Sequence, residues 1–142
     1  MIGAAKAEPT QPPIKPTEHD PNREPHLCME QLAIVEKYEH FLDYVYPICL
    51  GMRRAHYIVR DRALAAAFGQ VELLNEAGKA NTLPRLYAAD AGLASLRFYL
   101  RFFAAPGRKL ISKHQHQTAA IQLAETGKML GAWIRRTQTA KR

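Results

Sequence analysis

Apolar side chains recur every three or four residues over most of the chain, which predicts a series of amphipathic helices. The first helix is predicted from about Cys28 to Leu50, with acidic side chains opposite its apolar face. Pro47 lies inside this pattern and predicts a kink in the last turn, because proline lacks an amide donor and crowds the preceding turn. Gly51 then marks the end of the helix. The apolar face consists of Ile34, Tyr38, Phe41, Val45 and Ile48.

A second helix is predicted from about His56 to Ala77, where Gly78 is a natural C-terminal stop. Its spacing of apolar residues indicates one buried side and one solvated side. The predicted buried side consists of Val59, Leu64, Ala67 or Phe68, Val71 and Leu74.

Two more helices follow, and each has its own start signal. Thr82 is a suitable N-cap for the third helix, with Pro84 in the permissive first turn, and the Ala-Pro-Gly run at 105–107 ends it. Ser112 and Gln115 open the fourth helix with the spacing of a capping box. The inward positions of these two helices are Leu86, Ala89, Leu93, Leu96, Leu100, Phe103, Ala119, Leu123, Leu130 and Ile134, with Trp133 alongside. Four amphipathic helices joined by short connections predict an all-α, antiparallel up-down four-helix bundle.

The chain outside this pattern is short and polar. Residues 1–26 hold six of the nine prolines, so we expect a disordered Pro-rich leader before a bundle at 27–137 and a basic tail at 138–142. No apolar run approaches the roughly 20 residues that span a membrane, and the first residues lack the apolar region of a secretory signal. With only two cysteines, the composition favours a cytoplasmic protein with free thiols and no membrane partner.

Charge is distributed unevenly along the sequence. Residues 1–50 carry four Lys/Arg against eight Asp/Glu, whereas residues 51–142 carry sixteen against five. Such an excess of cations within helical patterning favours binding to a polyanion or to an acidic protein. A solvated polar face explains most charge runs, but the acidic side chains here are too few to neutralise these cations.

The candidate nucleic-acid-binding residues are the arginines and lysines of the second and third helices and of the connections around them. Several cations on one surface are what phosphate binding needs, because affinity comes from releasing condensed counterions. Arginine outnumbers lysine twelve to eight, and its guanidinium can grip phosphate with two hydrogen bonds. The predicted residues are Arg53, Arg54, Arg60, Arg62, Arg85, Arg97, Arg101, Arg108, Lys109 and Lys113.

Enzymatic and metal-binding chemistry is not indicated by the sequence. Both cysteines sit on apolar stretches, and no glycine-rich phosphate loop or nucleophile elbow is present. His114 and His116 are two apart, which points their side chains away from each other on a helix. We therefore expect no catalytic residue, no metal and no cofactor.

A glycine-rich stretch near the C-terminus is a candidate interface with a partner or a second copy. Gly127 and Gly131 lie four apart and could let a neighbouring helix approach closely, and Trp133 is either a core residue or an interface anchor. Glycine inside a helix costs up to about 1 kcal/mol relative to alanine, so a packing reason is expected.

Three stretches of the sequence resemble parts of one known protein family. They are the run ETGKMLGAWI at 125–134, the run KYEHFLDYVYP at 37–47 and the Leu/Arg stretch at 93–103. The first is similar to the C-terminal signature of the Avd family, the accessory variability proteins of diversity-generating retroelements. The second resembles the first helix of that family, including the late proline, and the third is similar as well. The resemblance covers about residues 30–136.

The resemblance implies a non-catalytic accessory protein. It implies a homopentamer of four-helix bundles with a basic surface that binds the retroelement reverse transcriptase and its template RNA and supports mutagenic cDNA synthesis. The Pro-rich leader and the acid-leaning first helix depart from the family. Two alternatives stay open: a bundle protein of the kind encoded in intervening sequences of bacterial rRNA genes, and a scaffold that docks an acidic protein.

Overall fold

The computed structural model describes residues 24–140, with side chains from residue 29 onward. Within this range the chain forms four α-helices and no strand, which confirms the predicted all-α fold. The helices are α1 (Glu24–Leu50), α2 (Tyr57–Ala80), α3 (Leu83–Ala104) and α4 (Lys113–Ala140), and a 3₁₀ turn at Arg54–His56 precedes α2. Of the predicted leader at 1–26, residues 1–23 lie outside the described range and residues 24–26 belong to α1. Of the predicted tail at 138–142, residues 138–140 belong to α4 and the last two lie outside the described range.

The four helices pack as an up-down bundle. α1 contacts α2 and α4, and α3 contacts the same two helices on the other side. Because the connections are short, consecutive helices run antiparallel and each diagonal pair runs parallel. The ends of α1 and α3 therefore meet the starts of α2 and α4 at one end of the bundle.

The core follows the predicted apolar faces closely. Tyr38, Phe41, Leu93, Leu123 and Leu130 are at most 1 % exposed. Several positions differ from the prediction. Phe68 is 50 % exposed and Ala67 takes the inward position, and Cys49 is buried. Some residues predicted to be buried are only partly so: Ile48, Val59, Leu64, Val71 and Ile134.

Two polar side chains in the core, Gln70 and Thr126, were not predicted. Gln70 is fully buried, and its Nε2 donates to the carbonyl oxygen of Ala89 at 2.8 Å across α2 and α3. Its Oε1 has no hydrogen-bond partner. A Cβ built on Gly92 would lie 1.9 Å from that oxygen, so the glycine makes room for the glutamine.

The end of α2 corrects the predicted stop at Gly78. The helix continues to Ala80, and Asn81 takes the left-handed conformation at φ 48° that the cap requires. Gly78 has a different role, because its carbonyl oxygen accepts a 2.8 Å hydrogen bond from Nε2 of Gln31 on α1. A Cβ at this position would come within 2.8 Å of that glutamine.

The starts of α3 and α4 are capped differently. Ser112 and Gln115 form the predicted capping box, with reciprocal side-chain to backbone bonds of 2.9 and 3.0 Å. Pro84 lies in the first turn of α3 as predicted, whereas the side chain of Thr82 makes no cap hydrogen bond. In the part of the chain that the structure describes, no helix is long and apolar enough to cross a membrane.

Candidate nucleic-acid interface

The fold gathers most of the predicted cations at one end of the bundle. We call this the cationic end: it comprises the connections 51–56 and 105–112, the last turns of α1 and α3, the first two turns of α2 and the first turn of α4. An up-down topology places the first and third connections together, so residues far apart in sequence share this end. Its cations are Arg53, Arg54, Arg60, Arg62, Arg101, Arg108, Lys109 and Lys113.

The two halves of the bundle differ in net charge. The half that includes the cationic end, residues 38–68 and 94–126, carries nine Lys/Arg against four Asp/Glu. The other half, residues 24–37, 69–93 and 127–140, carries six of each. The excess positive charge of the described residues therefore lies in one half, which is the arrangement that attracts a polyanion to a single surface.

Among the cations of this end, Arg60 has an acidic partner. Its guanidinium forms a 2.9 Å ion pair with Asp61, and its Cζ lies 3.6 Å from the ring centroid of Tyr57. None of the described acidic side chains forms an ion pair with the other seven. Those seven cations are exposed, so their charge is available to a ligand.

The structure does not bring Arg85 to this group. It lies in the first turn of α3 at the opposite end of the bundle and forms a 2.9 Å ion pair with Glu76 of α2. Arg136 and Glu30 form a similar bridge between α4 and α1 at 2.7 Å. Arg85 and Arg136 therefore link neighbouring helices at that end.

The connection 105–112 holds its cations in a defined conformation. Arg108 donates from Nε to the carbonyl oxygen of Phe102 at 2.9 Å, and its Cζ lies 3.7 Å from the centroid of that ring. Lys109 has a φ of 47°, an uncommon conformation for a residue with a side chain. An open cleft of about 560 Å³ lies between this connection and α4, lined by Lys109, Lys113 and His116 among others.

Arg97 is half-buried one turn below the cationic end, and Gly127 makes room for it. A Cβ at Gly127 would come within 2.8 Å of Nη2 of Arg97, so the guanidinium rests on the bare backbone of α4. Within the bundle, Gly127 therefore accommodates an arginine side chain. The sequence had suggested instead that this glycine lets a neighbouring helix approach closely.

Trp133 packs inside its own bundle. Its side chain is 3 % exposed, and Nε1 donates to Oδ1 of Asn81 at 2.9 Å. Of the two predicted roles the structure therefore supports the core residue. A role of Gly127, Gly131 and Trp133 in an interface stays a prediction.

Sequence reasoning missed an exposed aromatic residue beside these cations. Phe98 is 52 % exposed on the outer surface of α3, three residues before Arg101. The helical period contained this signal, because a helix with Leu96 and Leu100 turned inward must turn Phe98 outward.

The structure places the thiol of Cys49 in the core. Burial raises the pKa of the Cys49 thiol to about 11, against a smaller lowering by the positive charge of Arg60, so the nucleophilic thiolate is scarce at neutral pH. The described residues contain no cluster of three or more His, Cys, Asp or Glu side chains that could hold a metal ion.

The described residues thus define the class of protein: an all-α four-helix bundle with most of its predicted candidate cations at one end. The sequence pattern of the bAvd-like family matches residues 32–137, and the chain belongs to this family. The match confirms the resemblance seen in the sequence, and with it the chain is an Avd-type accessory protein of a non-catalytic family. A search of curated proteins finds no match.

Proposed function

We propose that this protein is the accessory factor of a diversity-generating retroelement and binds template RNA through the cationic end. The observation that carries the proposal is the concentration of cations there, with seven of eight lacking an acidic partner among the described residues. Family membership supports the accessory role. The reverse transcriptase is the proposed protein partner, and support of mutagenic cDNA synthesis is the proposed outcome.

The chemistry of this surface fits phosphate binding without sequence readout. Arginine and lysine side chains neutralise phosphates and carry no direct information about bases. Specificity in this proposal comes from the fold of the RNA and from the reverse transcriptase, while the bundle supplies affinity and orientation.

Charge reversal at matched positions tests the location of the RNA site. The variant Arg62→Glu with Arg101→Glu changes two exposed cations of the cationic end. The variant Lys128→Glu with Arg135→Glu makes the same charge change on exposed residues of the other half. At about 0.1 M salt we expect the first variant to lose at least about tenfold in affinity for template RNA. The slope of log affinity against log salt is expected to become less negative by about 1.4, because two phosphate contacts are lost.

The control variant is expected to stay within about twofold of the unaltered protein and to keep its salt slope. Filter binding measures both quantities, and circular dichroism checks that the helices are retained. Equal losses in the two variants would contradict a site at the cationic end, because only total charge would then matter.

A pull-down of the complete protein with the reverse transcriptase distinguishes RNA binding from docking of an acidic protein. Nuclease treatment removes the nucleic-acid absorbance of an RNA complex, whereas a pure scaffold keeps its partner and shows no such absorbance. Salt dependence alone does not separate them, because both interactions are screened.

We also propose that the protein assembles into a homo-oligomer, a pentamer by family resemblance. An exposed aromatic pair on one outer face supports assembly: Tyr46 on α1 and Phe68 on α2, with ring centroids 6.0 Å apart. In such a ring the acid-leaning α1 of one copy could face basic helices of the next. Light scattering is expected to give a mass several times the 16.0 kDa of one chain, and a monomer at micromolar concentration would contradict assembly.

A further inference from the structure

Aromatic side chains are mixed with the cations on the outer surface of α3 near the cationic end. Phe98 is half exposed, and its ring packs at 5.5 Å from Tyr99 and 6.2 Å from Phe102, measured between centroids. These contacts fix the ring in place from one side. The other half of the side chain is open to solvent, although a phenylalanine gains by burial.

Arginines surround this open ring. Arg101 follows Phe98 by three residues, which places the two side chains side by side on the helix surface. Arg108 stacks on Phe102 at 3.7 Å, and Phe102 is the ring next to Phe98. Arg97 precedes Phe98 and lies over Gly127 of α4. The exposed ring thus has arginines beside it on its own helix and, through Phe102, an arginine of the connection 105–112 nearby.

This combination is the one that recognises unpaired nucleotides. Cations track the phosphates of a single strand while successive bases stack on aromatic rings, and every base has a face that can do so. A duplex hides its base faces within its own stack, so the same rings would find no partner there. A surface that only neutralised phosphates would need no exposed phenylalanine.

We propose that the cationic end binds unpaired segments of RNA, with a base stacked on Phe98 and the adjacent phosphates held by Arg101 and Arg108. This inference rests on the proposed RNA-binding function and specifies the class of RNA. The ligand is an unpaired RNA segment because the apolar ring lies among arginines. The ring offers a stacking surface for a base, and the positive charge of the arginines complements phosphate.

The test separates stacking from hydrophobic contact and from charge. Phe98→Leu keeps an apolar side chain and removes the flat ring, and Phe98→Trp restores a larger ring. Tyr87→Leu is the matched control, because Tyr87 is 47 % exposed on the same helix but lies in the other half of the bundle. The probes are a single-stranded RNA of 20 nucleotides and a blunt RNA duplex of the same length.

We expect Phe98→Leu to lower affinity for the single strand by about fivefold or more with an unchanged salt slope, since stacking releases no counterions. Phe98→Trp is expected to bind the single strand at least as well as the unaltered protein. Affinity for the duplex should be the same in all variants, and Tyr87→Leu should bind both probes normally.

Two results would overturn the inference while leaving RNA binding intact: equal loss on single strand and duplex, or normal single-strand binding by Phe98→Leu. A change in native mass without a change in RNA affinity would also overturn it, because Phe98 would then contact another copy of the chain. Failure of the unaltered protein to bind either probe would contradict the proposed function itself.

Discussion

In the described residues, each end of the bundle contains one non-glycine residue in the left-handed backbone conformation. The two residues differ in side chain and in surroundings. At the opposite end, Asn81 caps α2 with a φ of 48°. At the cationic end, Lys109 has a φ of 47° in the connection before α4. Asparagine tolerates this conformation well, whereas lysine adopts it at a cost.

The surroundings of Asn81 give its end a structural role. Its backbone N–H donates to the carbonyl oxygen of Ala77, and its side chain accepts from the indole of Trp133. Ion pairs of Arg85 with Glu76 and of Arg136 with Glu30 tie neighbouring helices together there. The side chains of Asn81, Arg85 and Arg136 therefore have their partners within the bundle.

The surroundings of Lys109 leave its charge unused within the bundle. Its backbone N–H donates to Ala105, while its side chain is exposed beside a cleft that also includes Lys113. A strained residue and several like charges persist where stability would favour other residues, which is the pattern of a functional surface. One end thus holds the fold together, and the other presents charge.

We call the end that includes Asn81 the structural end, and a substitution there is expected to have the largest effect. Trp133→Ala empties a buried site and removes the donor to Asn81, so we expect a loss of about 3–5 kcal/mol in the free energy of unfolding, measured in urea. Phe98→Ala at the cationic end is expected to cost far less, because that ring is already half exposed.

RNA affinity should show the reverse order: Phe98→Ala is expected to lower it, and Trp133→Ala is not. Folded Trp133→Ala protein is expected to bind RNA normally at low temperature, because its cationic end is unaltered. A large loss of RNA affinity in this variant, with the helices intact by circular dichroism, would contradict the separation of the two ends.

Much of the fold could be predicted from local patterns. The helical period placed Tyr38, Leu93 and Leu123 in the core, and the spacing of Ser112 and Gln115 identified a capping box that forms as predicted. These signals are local, because a period and a cap depend only on residues within a few turns.

Other features depend on how helices align with one another, which local patterns do not contain. The pairing of Arg85 with Glu76 crosses a connection, and the insertion of Gln70 against Gly92 depends on the register of two helices. The cationic end is intermediate in how far it could be predicted from the sequence. The up-down topology already implied that the first and third connections meet, so the separation of Arg85 from the other candidates followed from the predicted fold.

The smallest effect, and the sharpest contrast between the ends, is expected from placing glycine at both left-handed positions. Lys109→Gly relieves about 1 kcal/mol of backbone strain and removes a cation from a crowded end. The greater entropy of the unfolded glycine chain offsets part of this gain. We therefore expect a net stabilisation of about 0.5 kcal/mol, measured by urea unfolding.

Asn81→Gly is the matched variant at the structural end, and its effect should have the opposite sign. Glycine keeps the left-handed cap but removes the acceptor of the Trp133 indole N–H, so a loss of about 1–3 kcal/mol is expected. RNA affinity should fall for Lys109→Gly and stay normal for Asn81→Gly. If Lys109→Gly destabilised the bundle, the lysine would have a structural role, and its conformation would no longer mark a surface kept for binding.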